Sequence, residues 1–181
     1  AYHGLKFHDT FGPYAFIIYS IAVSLRDLGM TMAPQNAFQT LLGLETLSLR
    51  MKKHVSNARK IANWLEQHPK IDKVTYAGLK SSKYYDLAKS LLPKGAGALF
   101  TISLNEGYEA CIKMINKLNL FSHVSNLGDT RSLIIHPAST VHRQLTEQQQ
   151  INAGLAPNVI RLSIGIEDPK DLIDDLKQAL E

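Results

Sequence analysis

One short segment near the end of the chain restricts the fold more than any other. Asn158-Val159-Ile160-Arg161-Leu162-Ser163-Ile164-Gly165-Ile166-Glu167-Asp168 is rich in β-branched residues and alternates in polarity, the pattern of a strand. Alternation puts Ile160, Leu162, Ile164 and Ile166 on one face, and Val159, Arg161, Ser163 and Gly165 on the other. The first is a core face and needs an apolar layer against it. The second carries a guanidinium among small residues, with room for something flat to lie on it. Arginine is a permanently charged planar fork suited to bidentate capture of a carboxylate or phosphate. On the strand alone, an Arg paired with a structural acid or turned to solvent is the commoner case.

The pattern along the rest of the chain predicts two parts. Residues 1–67 read as mainly helical. Phe11 to Leu28 is expected as an apolar helix ended by Gly29. Pro34 opens a second helical stretch, with Gly43 as a possible break, that proline stops at His68-Pro69. Residues 68–181 alternate: strand Lys73–Tyr76, helix Lys83–Leu92, strand Ala98–Leu104, helix Tyr108–Leu118, then strand-like Phe121–Ser125 and Ser132–His136. Thr146 with Gln149 has capping-box spacing for a short helix ended by Gly154. After the strand Val159–Ile164, Asp168 fits an N-cap, Pro169 a first turn, and Leu172, Ile173, Leu176 and Ala179 a buried stripe. This α/β (α+β) alternation with one-sided helices predicts a sheet covered by helices on one face.

Composition excludes several function classes. With 181 residues, 45% hydrophobic and 20% charged, the chain can bury a core. No apolar run approaches membrane-spanning length and no signal-peptide pattern opens the chain. The single Cys111 excludes an internal disulfide and is compatible with a reducing cytoplasm. It is expected as a small core residue on a helix. The net charge of +4 invites a nucleic-acid partner, but the densest basic group, Arg50, Lys52, Lys53, His54, Arg59 and Lys60, interleaves with Leu47, Met51, Val55, Ala58, Ala62 and Leu65. Spacings of three and four make that a solvated helix face above a buried stripe. No aromatics interleave with the cations, so no nucleic-acid partner is expected.

Other constellations are weaker. Lys94-Gly95-Ala96-Gly97 feeds a strand instead of opening a helix, so it reads as a turn and not a phosphate loop. His123, His136 and His142 lack metal-ligand spacing and are expected to be structural or to support a site from behind its contacting residues. Nothing has the order of a Ser-His-Asp triad. The residues alone offer an anion-binding Arg and no catalytic engine.

NVIRLSIGIED, preceded by Asn126-Leu127-Gly128-Asp129-Thr130-Arg131-Ser132-Leu133-Ile134-Ile135-His136-Pro137-Ala138-Ser139-Thr140-Val141-His142, resembles the C-terminal signature of the Cys/Met-metabolism family of pyridoxal-phosphate enzymes. Within it, GDTRSLIIHPAS followed by HRQLTEQQQ is similar to the O-acetylhomoserine sulfhydrylases (aminocarboxypropyltransferases). YHGLKFHDTFGPYAF, LRDLG, PQNAFQTLLGLETLSLRMKKH and YYDLAKSLLPKGAGALFT extend the resemblance over the whole chain.

The resemblance implies the small C-terminal domain of a fold-type I enzyme, with a mostly antiparallel sheet preceded by long linking helices. Residues 1–67 would link to and pack on a large pyridoxal-phosphate domain, and residues 68–181 would form the substrate-side domain. The chain begins Ala-Tyr-His without an initiator Met, and is expected to be a C-terminal fragment. The family holds its cofactor on a Lys as a Schiff base in an S-x-T-K setting absent from this sequence. The resemblance therefore implies no catalytic or cofactor-binding residue here, and an inactive isolated chain. It carries over Arg161 as the ligand of the substrate α-carboxylate. It also carries over Asn126, whose amide would bond that carboxylate or the cofactor edge. Val141 stands where the family commonly has Thr, and no role is carried to it. The implied whole is a cytoplasmic homotetrameric transferase of methionine biosynthesis, acting on a small amino-acid substrate. A cystathionine γ-synthase, a methionine γ-lyase or a non-catalytic assembly module are the alternatives.

Overall fold

The structure is a computed structural model that describes residues 2–181. The chain forms two compact units, Ala1–Thr46 and Leu47–Glu181.

The first unit is helical but not continuously so. Helix α1 (Phe7–Phe11) runs into a 3-10 turn at Gly12–Tyr14, then α2 (Ala15–Tyr19), a π-helical segment at Ser20–Leu25 and α3 (Arg26–Leu28). The single helix expected from Phe11 to Leu28 is thus broken at Gly12-Pro13, where φ is +50° at the glycine and the proline ring cannot supply an N–H. Gly29 ends it in the left-handed region, as expected. Helix α4 (Pro34–Glu45) runs through Gly43 without a break and stops at Thr46. None of the described residues of this unit is buried, and Phe16, Ile17, Ile21, Phe38 and Leu41 are exposed.

The second unit starts with α5 (Leu47–Glu66). There follow β1 (Ile71–Thr75), α6 (Tyr85–Leu91), β2 (Leu99–Leu104), α7 (Tyr108–Lys117), β3 (Ser122–His123), β4 (Leu133–Ile135), α8 (Glu147–Asn152), β5 (Val159–Ser163) and α9 (Pro169–Leu180). The strands form one sheet in the order β1-β2-β5-β4-β3, antiparallel except for the β3–β4 pair. Phe100, Ile102 and Leu104 of β2, Ile134 of β4 and Ile160 and Leu162 of β5 share one core with Ala58, Ile61, Ala62 and Leu65 of α5, Cys111 and Met114 of α7, and Leu172 and Leu176 of α9. The sheet is therefore mostly antiparallel, with these three helices on one face. The expected stripe of α5 is buried only in its C-terminal half: Leu47 and Met51 stay exposed, and His54 and Asn57 take buried positions instead.

Caps fall where the sequence places them. Asp168 accepts from the Lys170 amide at 2.8 Å with Pro169 in the first turn of α9, an arrangement worth about 1 kcal/mol. Thr146 and Gln149 form the full capping box on α8. The Lys94–Gly97 segment is a turn, closed by the Gly95 amide on the Leu92 carbonyl.

Candidate functional site

Strand β5 lies in the interior of the sheet, between β2 and β4. Arg161 pairs with Thr101 on one side and Ile135 on the other. With Ile160 and Leu162 in the core, period two forces the guanidinium onto the opposite face. It is half-buried there. Among the described residues no acid lies within ion-pair distance of it. Its printed side-chain contact is a long hydrogen bond, 3.4 Å, from Nη2 to the Ser125 hydroxyl. Arg131 contrasts with it, being an exposed side chain 3.9 Å from Asp129.

The segment between β3 and β4 runs beside Arg161. Ser163, two residues along β5 on the same face, accepts from the Gly128 amide at 3.4 Å. The Asn126 amide N–H bonds the Val124 carbonyl at 3.2 Å. The Asn126 side chain is exposed and makes no hydrogen bond among the described residues. The structure thus brings the Ser125 hydroxyl onto the Arg161 fork. Farther along, the Asp129 carboxylate accepts from the Arg131 main-chain N–H at 3.0 Å, which with the Arg131 charge holds it below the usual carboxylate range.

A buried polar network fixes that segment to the rest of the unit. The Glu167 carboxylate accepts from the Ser132 amide at 2.6 Å and from its hydroxyl at 2.9 Å. The Ser132 oxygen accepts from the Gly165 amide at 2.9 Å. From α5, Asn57 donates to the Gly165 and Glu167 carbonyls (3.0 and 2.8 Å), and His54 Nδ1 donates to the Ile164 carbonyl at 2.6 Å. A Cβ at Gly165 would strike the Thr130 carbonyl oxygen and the Arg131 carbonyl carbon, so only glycine lets the two segments approach. Strand β5 ends at Ser163, and Ile166, expected on the core face, is only half-buried. No local sequence pattern announces these partners. An isolated Gly closing a strand pattern was the one available signal.

His136 and Cys111 are structural. His136 is fully buried, its Nε2–H donating to the Pro157 carbonyl at 2.7 Å and Nδ1 accepting from the Ser139 hydroxyl at 2.9 Å. Burial lowers its pKa, partly opposed by the Pro157 bond. Burial likewise pushes the Cys111 thiol up to about 12, so it is no nucleophile. Gln150, buried, donates to the Ala138, His142 and Leu145 carbonyls and pins the intervening segment, with Val141 exposed on it. Among the described residues no group of His, Cys, Asp or Glu could hold a metal, and no helix is long and apolar enough to cross a membrane. No described lysine is buried, so none has the desolvated amine that a covalent cofactor anchor uses. A half-buried guanidinium with no acid in ion-pair range among the described residues is chemically suited to an anionic group.

Residues 13–181 match the family described as Cys/Met metabolism PLP-dependent enzyme. O-acetyl-L-homoserine sulfhydrylase 1 of Thermus thermophilus is 45% identical over 99% of this chain and 42% of its own length. The O-acetyl-L-homoserine sulfhydrylase of Leptospira meyeri is 46% identical over 100% of this chain and 43% of its own. A crystal structure from Campylobacter jejuni, described as an O-acetylhomoserine (thiol)-lyase with N'-pyridoxyl-lysine-5'-monophosphate, superposes with a TM-score of 0.86 at 47% identity, covering 99% of this chain and 42% of that one. The chain spans about two fifths of the length of these relatives. Sequence match and superposed fold agree that it belongs to the Cys/Met-metabolism family of pyridoxal-phosphate-dependent enzymes.

Proposed function

We propose that this chain is the C-terminal, substrate-side part of an O-acetylhomoserine sulfhydrylase. The whole enzyme would convert O-acetylhomoserine and sulfide or methanethiol to homocysteine or methionine and acetate. The carrying observation is the half-buried Arg161 cation on an interior strand with no acid in range among the described residues. Such a charge is kept for a ligand. Pyridoxal phosphate, the family's cofactor, supplies an electron sink when bound. This chain supplies orientation. The backbone of β5 is bonded to a strand on each side, so the Arg161 Cα cannot drift. A two-point grip on the substrate carboxylate then fixes the direction of the Cα–H bond. Asn126 would add an amide contact to the same carboxylate or to the cofactor edge. The bare apolar side chains of the first unit fit a surface that the rest of a longer, homotetrameric, cytoplasmic enzyme covers. On this reading the 181-residue chain alone turns nothing over.

Arg161→Lys in the full-length enzyme tests the assignment. Lysine keeps the charge but loses the planar fork. The loss should be about 2–4 kcal/mol in kcat/KM, much of it in KM, with little change in Tm. Arg131→Lys, at an exposed position, should be near neutral. Near-normal catalytic efficiency in Arg161→Lys, or unfolding in place of a KM effect, refutes the clamp.

A further inference from the structure

We propose that Ser125 is the positioning residue of the Arg161 guanidinium, holding one N–H with a neutral acceptor so that the charge and the free edge of the fork stay available to a substrate carboxylate. The inference rests on the carboxylate-clamp reading of Arg161. A guanidinium offers five N–H donors in one plane, and on a long side chain it samples many orientations. An acidic neighbour would fix it and also neutralise it. A hydroxyl fixes without neutralising. Ser125 Oγ accepts from Nη2 at 3.4 Å, long for such a bond, so the contact steers the plane and leaves the fork able to adjust to a ligand.

The loop around Ser125 is itself held. The Val124 amide bonds the Ser122 carbonyl at 3.0 Å and the Asn126 amide bonds the Val124 carbonyl at 3.2 Å, two successive three-residue turns, the second with Ser125 at its centre. The Gly128 amide then bonds Ser163 Oγ. Strand β5 therefore grips the same loop at two points of its open face, Arg161 and Ser163. The hydroxyl is placed by the strand it serves. Ser125 is exposed and absent from the core, so packing gives no other reason for its position.

The test uses the full-length enzyme and norvaline, an unreactive amino acid with the α-carboxylate but no γ leaving group. Calorimetry gives Kd, steady-state rates give kcat and KM, and Tm checks folding. Ser125→Asp should pair with Arg161 and compete with the carboxylate, weakening norvaline binding about tenfold or more and raising KM alike, with kcat within about twofold. Ser125→Ala should cost about three- to fivefold in Kd, and Ser125→Thr, which keeps the hydroxyl, should restore it. Unchanged norvaline affinity in Ser125→Asp while Arg161→Lys loses it overturns the positioning role and leaves the clamp standing. Equal loss in Ser125→Thr and Ser125→Ala also overturns it, because the hydroxyl would then be irrelevant. An Arg161→Lys enzyme with normal norvaline affinity overturns the clamp and this inference with it. Should Ser125→Asp fail to fold, the Ala and Thr titrations decide.

Discussion

Asp175 on α9 should be among the most costly surface-helix positions to change. Its carboxylate accepts from three consecutive main-chain amides, Asn119 at 3.0 Å, Leu120 at 2.8 Å and Phe121 at 3.3 Å, and from the Gln178 amide at 3.0 Å. These amides lie where the chain leaves α7 for β3, so one side chain closes that connection. Only 8% of Asp175 is exposed. Phe121 is buried while Asn119 and Leu120 are exposed, so water can replace the carboxylate at two amides but not at the third. An unsatisfied buried donor costs about 1–3 kcal/mol, and each exposed bond nets about 0.5–1.5. Asp175→Ala should therefore lose about 2–6 kcal/mol. Asp174→Asn, next to it but exposed and 3.6 Å from Lys170, should lose no more than about 0.5 kcal/mol. Urea unfolding of the 181-residue chain reads both, as a lower midpoint at unchanged m value. Amide exchange at Phe121 should accelerate in Asp175→Ala alone. A loss below about 1 kcal/mol, or unchanged exchange at Phe121, refutes the bracing role.

Gly165→Ala should destabilise by about 3 kcal/mol, because the new methyl meets main-chain atoms of Thr130 and Arg131 that cannot rotate away; a thermal melt within about 2 °C of wild type contradicts this. His136 predicts a pH dependence. Its folded pKa lies below the ordinary 6.5, so as pH falls below about 6.5 the unfolded chain binds a proton that the native state refuses, and stability drops. Melts at pH 7, 6 and 5 should show a smaller decline in His136→Gln than in wild type, and equal slopes would contradict the assignment.

Where local chemistry decides structure, the sequence was readable. Strands β2 and β5 follow from alternation, the α9 start from Asp168-Pro169, and the α8 start from Thr146 and Gln149. The position and face of Arg161 were readable for the same reason, since period two leaves no choice once Ile160 and Leu162 are inward. What stayed hidden is set by partners far away in the chain. Asp175 sits in DLIDDLKQ like any solvated helix acid, and its three amides lie more than 50 residues earlier. Ser132 and Glu167 are 35 residues apart, and neither has a local pattern. In α5 the apolar period predicts a face but not what covers it, so Leu47 and Met51 remain exposed while Asn57 is buried against carbonyls of residues 165 and 167. The first unit is apolar nearly all round, so a 3.6-residue period could not reveal the 3-10 and π segments that interrupt it.

The parallel pairing of β3 with β4 has a geometric cost. Two parallel neighbours oblige the chain to travel back along the sheet before it re-enters, a return usually made by a helix. Here residues 124–132 make it without one, leaning on Arg161 and Ser163 as they pass. On the clamp reading proposed above, the length of that return sets the ligand geometry. One residue added or removed would slide Ser125 and Asn126 along the guanidinium, whereas the same change after α8, near Gly154, would only alter a surface turn. Substrate preference in relatives of this chain should accordingly track the length of this one crossing more than the identity of any single residue in it.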